Sequence, residues 1–292
     1  MNKEFNKGLL LAGFGSFWWG FFGVLYFKYI TFIGYIELVI HRCLWTTLTL
    51  ILTTFFFSKW DIFFKIIKSK QNLIYLFISG FLIFINWGVW IYAIATNRII
   101  DASFGYFIMP ILSVLLGYIF FKEKLNNKRI FSITLVILSI LYLIFVSLKS
   151  LPWVGIIVAL SWGFYNLVRK KINVDTDIGL LIESLFILPI AIIVFYMIAA
   201  KGYNDFSLSN PSMMLIIFLA GPMTVIPLFL YVRGVELCGL GPSGMIFYIT
   251  PTLQFLLGFF YYDEVFSFNK LVSFIIIWFA VIIYLRDLYE TN

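Results

Sequence analysis

The sequence predicts an all-α integral membrane protein of ten transmembrane helices, arranged as two inverted five-helix repeats. Three observations carry that expectation. The chain is 62% hydrophobic and 12% charged, about half the charge of an ordinary soluble domain. Its apolar residues fall into uninterrupted runs of about 20, the length a helix needs to cross the hydrocarbon layer. One motif also occurs twice at a fixed offset: Pro110, Gly117 and Glu123 reappear 141 residues later as Pro251, Gly258 and Glu264. Leu112, Leu115 and Leu116 fall in the same way on Leu253, Leu256 and Leu257. In lipid every backbone polar group needs an internal partner, so only helices and closed barrels span it. Barrel strands would alternate over about 10 residues, and these runs do not.

Taken in order, the first run, about 8–27, is too long for a cleaved leader and has no small-residue cleavage site. It reads as a retained span. The second (36–57) carries Glu37, His41 and Arg42, the third (73–96) Asn86, and the fourth (103–121) the motif; the fifth (130–147) closes the first repeat. The sixth (152–168) reopens with Trp162-Gly163-Phe164, matching Trp19-Gly20-Phe21 of the first, and Lys171 matches Lys28. The seventh (178–200) carries Glu183, the eighth (213–235) Pro222 and Pro227, the ninth (243–262) the second motif; the tenth is 270–286. The repeats divide the chain at 1–148 and 149–292. The longest connection, Ser58 to Asn72, leaves no room for a soluble domain.

Charge orients the spans. The net charge of +7 does not indicate nucleic acid, because the basic residues sit in short loops between apolar runs. Fourteen lysines and arginines fall on one side, among them Lys59, Lys65, Lys124, Arg129, Arg169 and Lys170. Only Lys28, Arg98, Lys149, Lys201 and Lys270 fall on the other. The positive-inside bias makes the first side cytoplasmic, with both termini on it. Five spans per repeat is odd, so the second repeat enters from the opposite face, with Glu123 inside and Glu264 outside. Such inverted units suit alternating access.

Polar groups inside the membrane are costly and need a reason. Glu37 and His41 are i, i+4 neighbours on one helical face. His41 and Arg42 either pack and snorkel or face a water-filled cavity, and His41 is the only histidine. Glu183 either transports or is paired structurally, with Arg233 as a candidate partner. Asn86, beside Trp87 and Trp90, is helix–helix glue or a cavity group; Asn166 and Gln254 are weaker examples of the same kind. Trp19 and Trp162 are packing residues or paired cavity walls. Pro110 and Pro251 each remove a backbone donor and should bend or break their helices, as hinges.

Enzyme motifs are missing: no H-E-x-x-H, G-x-S-x-G, P-loop or paired acidic cluster occurs. An integral-membrane lipid enzyme would need such a cluster at one face, and a channel or scramblase a continuous polar path or groove. Cys43 and Cys238 lack metal-ligand spacing and read as packing residues. No cofactor or metal is called for.

The paired Pro-x6-Gly-x5-Glu endings resemble the EamA domains of the drug/metabolite transporter superfamily. His41-Arg42 with Trp45, Asn86-Trp87, Ala102-Ser103-Phe104-Gly105-Tyr106-Phe107, Pro152-Trp153, Arg169-Lys170, Glu183 and Tyr248-Ile249-Thr250-Pro251-Thr252 are similar to its RarD branch. That resemblance implies a bacterial inner-membrane transporter of small metabolites or drugs, with a central cavity between its halves. A proton-linked or an exchange cycle fits it equally. His41, Arg42, Asn86, Glu183 and Gln254 are the expected cavity polar residues, and Trp19, Trp87, Tyr106, Trp162 and Tyr248 the aromatic lining. Two departures stand out: Met109 replaces the branch's common Asn before the fourth-span proline, and Phe247 replaces a Gln. Both remove hydrogen-bonding groups, and Gln254 returns one.

Overall fold

The computed structural model of the chain describes residues 3–95, 99–147, 153–206, 210–261 and 268–291. Among them every regular element is helical. One rod is built of α1 (Lys3–Trp18), a π-helical segment (Trp19–Gly23) and α2 (Val24–Tyr29). Then come α3 (Tyr35–Phe56), the short α4 (Trp60–Ile67), α5 (Lys70–Ala95), α6 (Ile99–Phe121) and α7 (Asn127–Ser147). The chain continues with α8 (Trp153–Lys171) and α9 (Thr176–Ala200), then a rod of α10 (Pro211–Phe218) and α11 (Ala220–Cys238). A broken rod of α12 (Leu240–Ile246) and α13 (Ile249–Tyr261) precedes α14 (Phe268–Thr291). Glu264, Arg98, Lys149 and Pro152, singled out by the sequence, lie outside the described residues.

Seven of these helices are long and apolar enough to cross a membrane, and Gly105–Phe121 is a shorter apolar helix. Large side chains such as Phe56, Phe145, Tyr196 and Ile282 stand exposed on their outer faces. Surface of that kind is stable only against lipid.

Small residues let the rods approach. The Cβ atoms that Gly8, Gly15 and Gly234 lack would lie within about 3 Å of the facing backbone where α1 packs along α11. The same stripe logic, small residues one turn apart, drives association where lipid removes the hydrophobic incentive. α5 lies along α8, α6 against α8 and α12, α3 against both α9 and α11, α5 against α9, and α7 against α14.

The motif's glutamate has a specific role in this packing. At the end of α6, Lys122 takes a left-handed φ of 54° and the Glu123 amide donates to the Gly117 carbonyl at 3.2 Å. That turn sends the Glu123 carboxylate back to accept from the amides of Leu240 (2.7 Å) and Gly241 (2.8 Å), capping α12 from the other half of the chain. Gly117, Gly239 and Gly241 make the room: a Cβ on any of them would lie 2.5–2.9 Å from a carboxylate oxygen. Two acceptors on one carbon serve two orphan helix donors. We therefore expect Glu123→Ala to cost about 1–3 kcal/mol and Glu123→Gln nearly as much, since the amide turns a donor toward an amide N–H. Unfolding of the purified variants in detergent measures this, and a Glu123→Gln protein as stable as wild type would refute the cap.

The two prolines behave differently from each other. α6 runs through Pro110 unbroken, so of the bend or break expected there the break is absent. Proline in a helix leaves the carbonyl four residues earlier without its donor, here that of Tyr106, and the Tyr248 hydroxyl donates to the next carbonyl, Phe107, at 2.9 Å. In the second copy the break falls at Phe247–Tyr248. Pro251 consequently lies in the first turn of α13, where a missing N–H removes no helical bond.

Candidate functional site

The π-helical segment widens α1 by one residue where α13 comes closest. Cβ atoms on Gly20 would meet Leu253 and the Thr250 backbone at 3.0 Å. A π-turn spares one carbonyl its usual donor; in the preceding turn Thr250 Oγ1 donates to the Ser16 carbonyl at 2.8 Å. The segment thereby turns Trp19 and Gly23 toward an internal cavity of about 50 Å³.

Both halves of the chain wall this cavity. Trp19, Gly23, Phe27, Arg42, Asn86, Trp87, Trp90 and Tyr106 come from the first, and Val158, Trp162, Phe247, Thr250 and Gln254 from the second. Residues at equivalent repeat positions touch one another here. The Trp19 and Trp162 rings meet edge to face at 4.9 Å, and Tyr106 stacks on Phe247 at 6.0 Å. Phe107 and Tyr248, the next pair at the 141-residue offset, are the two joined by the hydroxyl–carbonyl bond.

Among the described residues, Arg42 is the one charged side chain in the wall. It is buried; its Nε donates to Thr224 Oγ1 at 3.0 Å, and its guanidinium lies 4.5 Å from the Trp87 ring centroid and 4.8 Å from that of Phe27. Such cation–aromatic contacts supply about 2 kcal/mol when desolvated. Asn86 Nδ2 donates to the Val158 carbonyl (3.0 Å) and Ser161 Oγ (3.1 Å), tying α5 to α8. The side chain is thus both glue and wall.

Of the residues marked from sequence, Trp19, Arg42, Asn86, Trp87, Tyr106, Trp162 and Gln254 gather at the cavity, and His41, Glu183 and Tyr248 stand away from its wall. His41 Nε2 faces Glu37 Oε1 at 3.3 Å, and its ring packs on Phe206 and Phe195. Glu37 in turn accepts from the amides of Asp205 (2.6 Å) and Phe206 (2.9 Å), holding the loop after α9 against the start of α3. Tyr248 is buried on the Phe107 carbonyl.

Glu183 belongs to a buried ionic cluster. It accepts from Ser79 Oγ (2.5 Å) and Tyr165 Oη (3.3 Å), and lies 3.5 Å from Arg169. Arg169 also faces Glu236 at 3.6 Å and donates to the Thr176 carbonyl. Arg233, the partner proposed from sequence, pairs instead with Glu236 at 2.9 Å. The substitution of partners is geometric: three helix ends, those of α8, α9 and α11, converge and place Arg169 inside. Glu183 also lines a second void of about 10 Å³ that shares Trp87 with the first.

Gly23, Phe27, Trp90, Val158, Phe247 and Thr250 complete the wall, and the sequence does not single them out as lining. Phe27 and Val158 carry no signal in an apolar run. Phe247 had one, since it falls at the repeat offset from Tyr106.

Comparisons with known proteins agree in kind. Residues 6–145 match the model of the EamA-like transporter family. The uncharacterized transporter YojE of Bacillus subtilis (strain 168) is 33% identical over 286 residues, 97% of this chain and 95% of its own. Protein RarD of Escherichia coli (strain K12) is 32% identical over 290 residues, 99% and 97% of the two chains. A solved crystal structure superposes with a TM-score of 0.71 at 13% identity, covering 95% of this chain and 96% of that one, and so shares the fold.

Proposed function

The chain belongs to the EamA-like transporter family, with RarD-type relatives along nearly its whole length, and from that premise we propose that it is a secondary transporter of a small organic solute, working by alternating access. The observation that carries the proposal is the cavity between the two halves, walled by repeat-equivalent aromatics that touch each other. We take the direction as outward, export of a small metabolite or drug.

Inverted repeats are supported by the packing. Exchanging α1 for α8, α3 for α9, α5 for α11, α6 for α12–α13 and α7 for α14 turns α1–α11 into α8–α5, and α3–α11 into α9–α5. The contacts α3–α9, α6–α12 and α7–α14 map onto themselves. A two-fold axis would produce such an exchange, and in the ten-span reading that axis lies in the membrane plane. We accordingly propose a division into repeats at 1–148 and 149–292. By the charge bias we place both termini in the cytoplasm, and the RarD-type resemblance implies a bacterial inner membrane.

Ligand sites typically enclose about 300–1,000 Å³, far more than this cavity holds. On this reading a solute of ordinary size is admitted by movement of one half against the other. The test uses Thr250→Cys in a background of Cys43→Ser and Cys238→Ser, probed with an impermeant maleimide in right-side-out and inverted vesicles. We expect labelling from each face in turn, with a crosslink that closes one face abolishing labelling there and stopping solute counterflow. Labelling from one face only, under all conditions, would overturn alternating access, and a steady ionic conductance would favour a channel.

A further inference from the structure

The cavity's charge identifies the class of solute. This inference rests on the transporter reading above and adds the chemistry of what is carried. Arg42 is only 5% exposed, and a buried ion without a counter-ion is among the costlier features a membrane protein can hold. Thr224 takes its Nε, and the Trp87 and Phe27 rings cover the guanidinium. No acceptor among the described residues bonds its two terminal nitrogens. Among the described residues no carboxylate lines the cavity with it; Glu37 is engaged by His41 and the Asp205–Phe206 amides, and Glu183 by Ser79, Tyr165 and Arg169.

The side chain is therefore pre-oriented at one end and unpaired at the other. A guanidinium edge matches a planar two-oxygen anion in bidentate fashion. One fixed positive charge in an aromatic enclosure balances one negative charge; a dianion would leave a charge uncompensated, and an ammonium would meet repulsion without a carboxylate to offset it. Most of the remaining wall is flat aromatic surface, Trp19, Trp90, Tyr106, Trp162 and Phe247, with Thr250 and Gln254 as its neutral polar members. The Asn86 amide nitrogen is already committed to α8. We infer that the solute is a small organic monoanion with a flat apolar body, its carboxylate or equivalent oxyanion paired with Arg42 and its ring stacked among these aromatics.

A matched panel tests this on the purified full chain: benzoate, benzenesulfonate, phenyl phosphate, benzamide, benzylamine and phenylalanine. Binding is read by tryptophan fluorescence and by thermal stabilisation, transport by counterflow in proteoliposomes. At neutral pH the two monoanions should bind and be carried, with the dianion, amide, amine and zwitterion weaker by roughly 10- to 100-fold, the range a charge-assisted hydrogen-bonded pair accounts for. Benzoate without benzenesulfonate would narrow the class to carboxylates. Arg42→Gln should remove benzoate binding and Arg42→Lys retain part of it. The wild-type panel decides the matter even if Arg42→Gln does not fold. Equal or tighter binding of benzamide or benzylamine, undiminished benzoate binding by folded Arg42→Gln, or silence of both monoanions would overturn the inference. Saturable counterflow of amine or amide with benzoate ignored would sink the charge assignment and leave the transporter standing. Benzoate binding with no counterflow would do the reverse.

Discussion

Replacing Arg169 by methionine should cost about 3–5 kcal/mol of stability, the usual penalty for removing one partner of a buried ionic group. Arg169 is 1% exposed and stands between two carboxylates, Glu183 at 3.5 Å and Glu236 at 3.6 Å. Its loss would leave Glu183, itself 2% exposed, with only hydroxyl donors from Ser79 and Tyr165. Gly179 is the space that guanidinium occupies, since a Cβ there would collide with it. Glu183→Gln alone should also destabilise, because Arg169 then loses a counter-charge. The double variant should lose clearly less than the sum of the two, as expected for residues in one network. Unfolding of the four proteins in detergent completes the cycle; additive losses would show that the pair is not coupled.

The second large effect is expected at Gly105. A Cβ there would lie 2.5 Å from the Gly155 carbonyl oxygen and 3.1 Å from its Cα, so the obstacle is backbone and no rotamer avoids it. Alanine forces α6 and α8 apart, at about 1–3 kcal/mol, and leucine should prevent folding. Gly88 supplies the control, with nothing within 4 Å of its missing Cβ. There alanine should be neutral or stabilising by up to about 1 kcal/mol, from helix propensity alone. Expression and melting temperature of the three variants separate the cases, and a stable Gly105→Leu protein would refute the close crossing.

Much of this was readable in the sequence, for reasons that particular residues show. Long apolar runs announce helices because lipid permits little else, and a polar residue inside one is noticed at once; Arg42 and Asn86 were found that way. Trp19 and Trp162 were found by the repeat. What could not be read depends on how helix ends converge. Arg169 looks like one more basic loop residue, yet α8, α9 and α11 enclose it. Glu123 is plainly part of a motif, but its partners, the Leu240 and Gly241 amides, are more than a hundred residues away. Pro110 and Pro251 look equivalent, and only the chain around them decides that one is threaded through a helix and the other begins one.

The stacked pair of Tyr106 and Phe247 carries a thermodynamic consequence. The next residues are Phe107 and Tyr248, so the order of hydroxyl and plain ring is reversed between the two copies. Of these four, Tyr106 and Phe247 face the cavity. A solute arriving from opposite sides of the proposed two-fold axis thus meets a phenol on one wall and a bare ring on the other. Its dissociation constants at the two faces need not be equal, but around a closed uncoupled cycle the free energies must sum to zero. Any preference for binding on one side is returned as an equal difference between the orientation bias of the empty carrier and that of the loaded one. Such asymmetry fixes which face saturates first and cannot by itself raise a gradient.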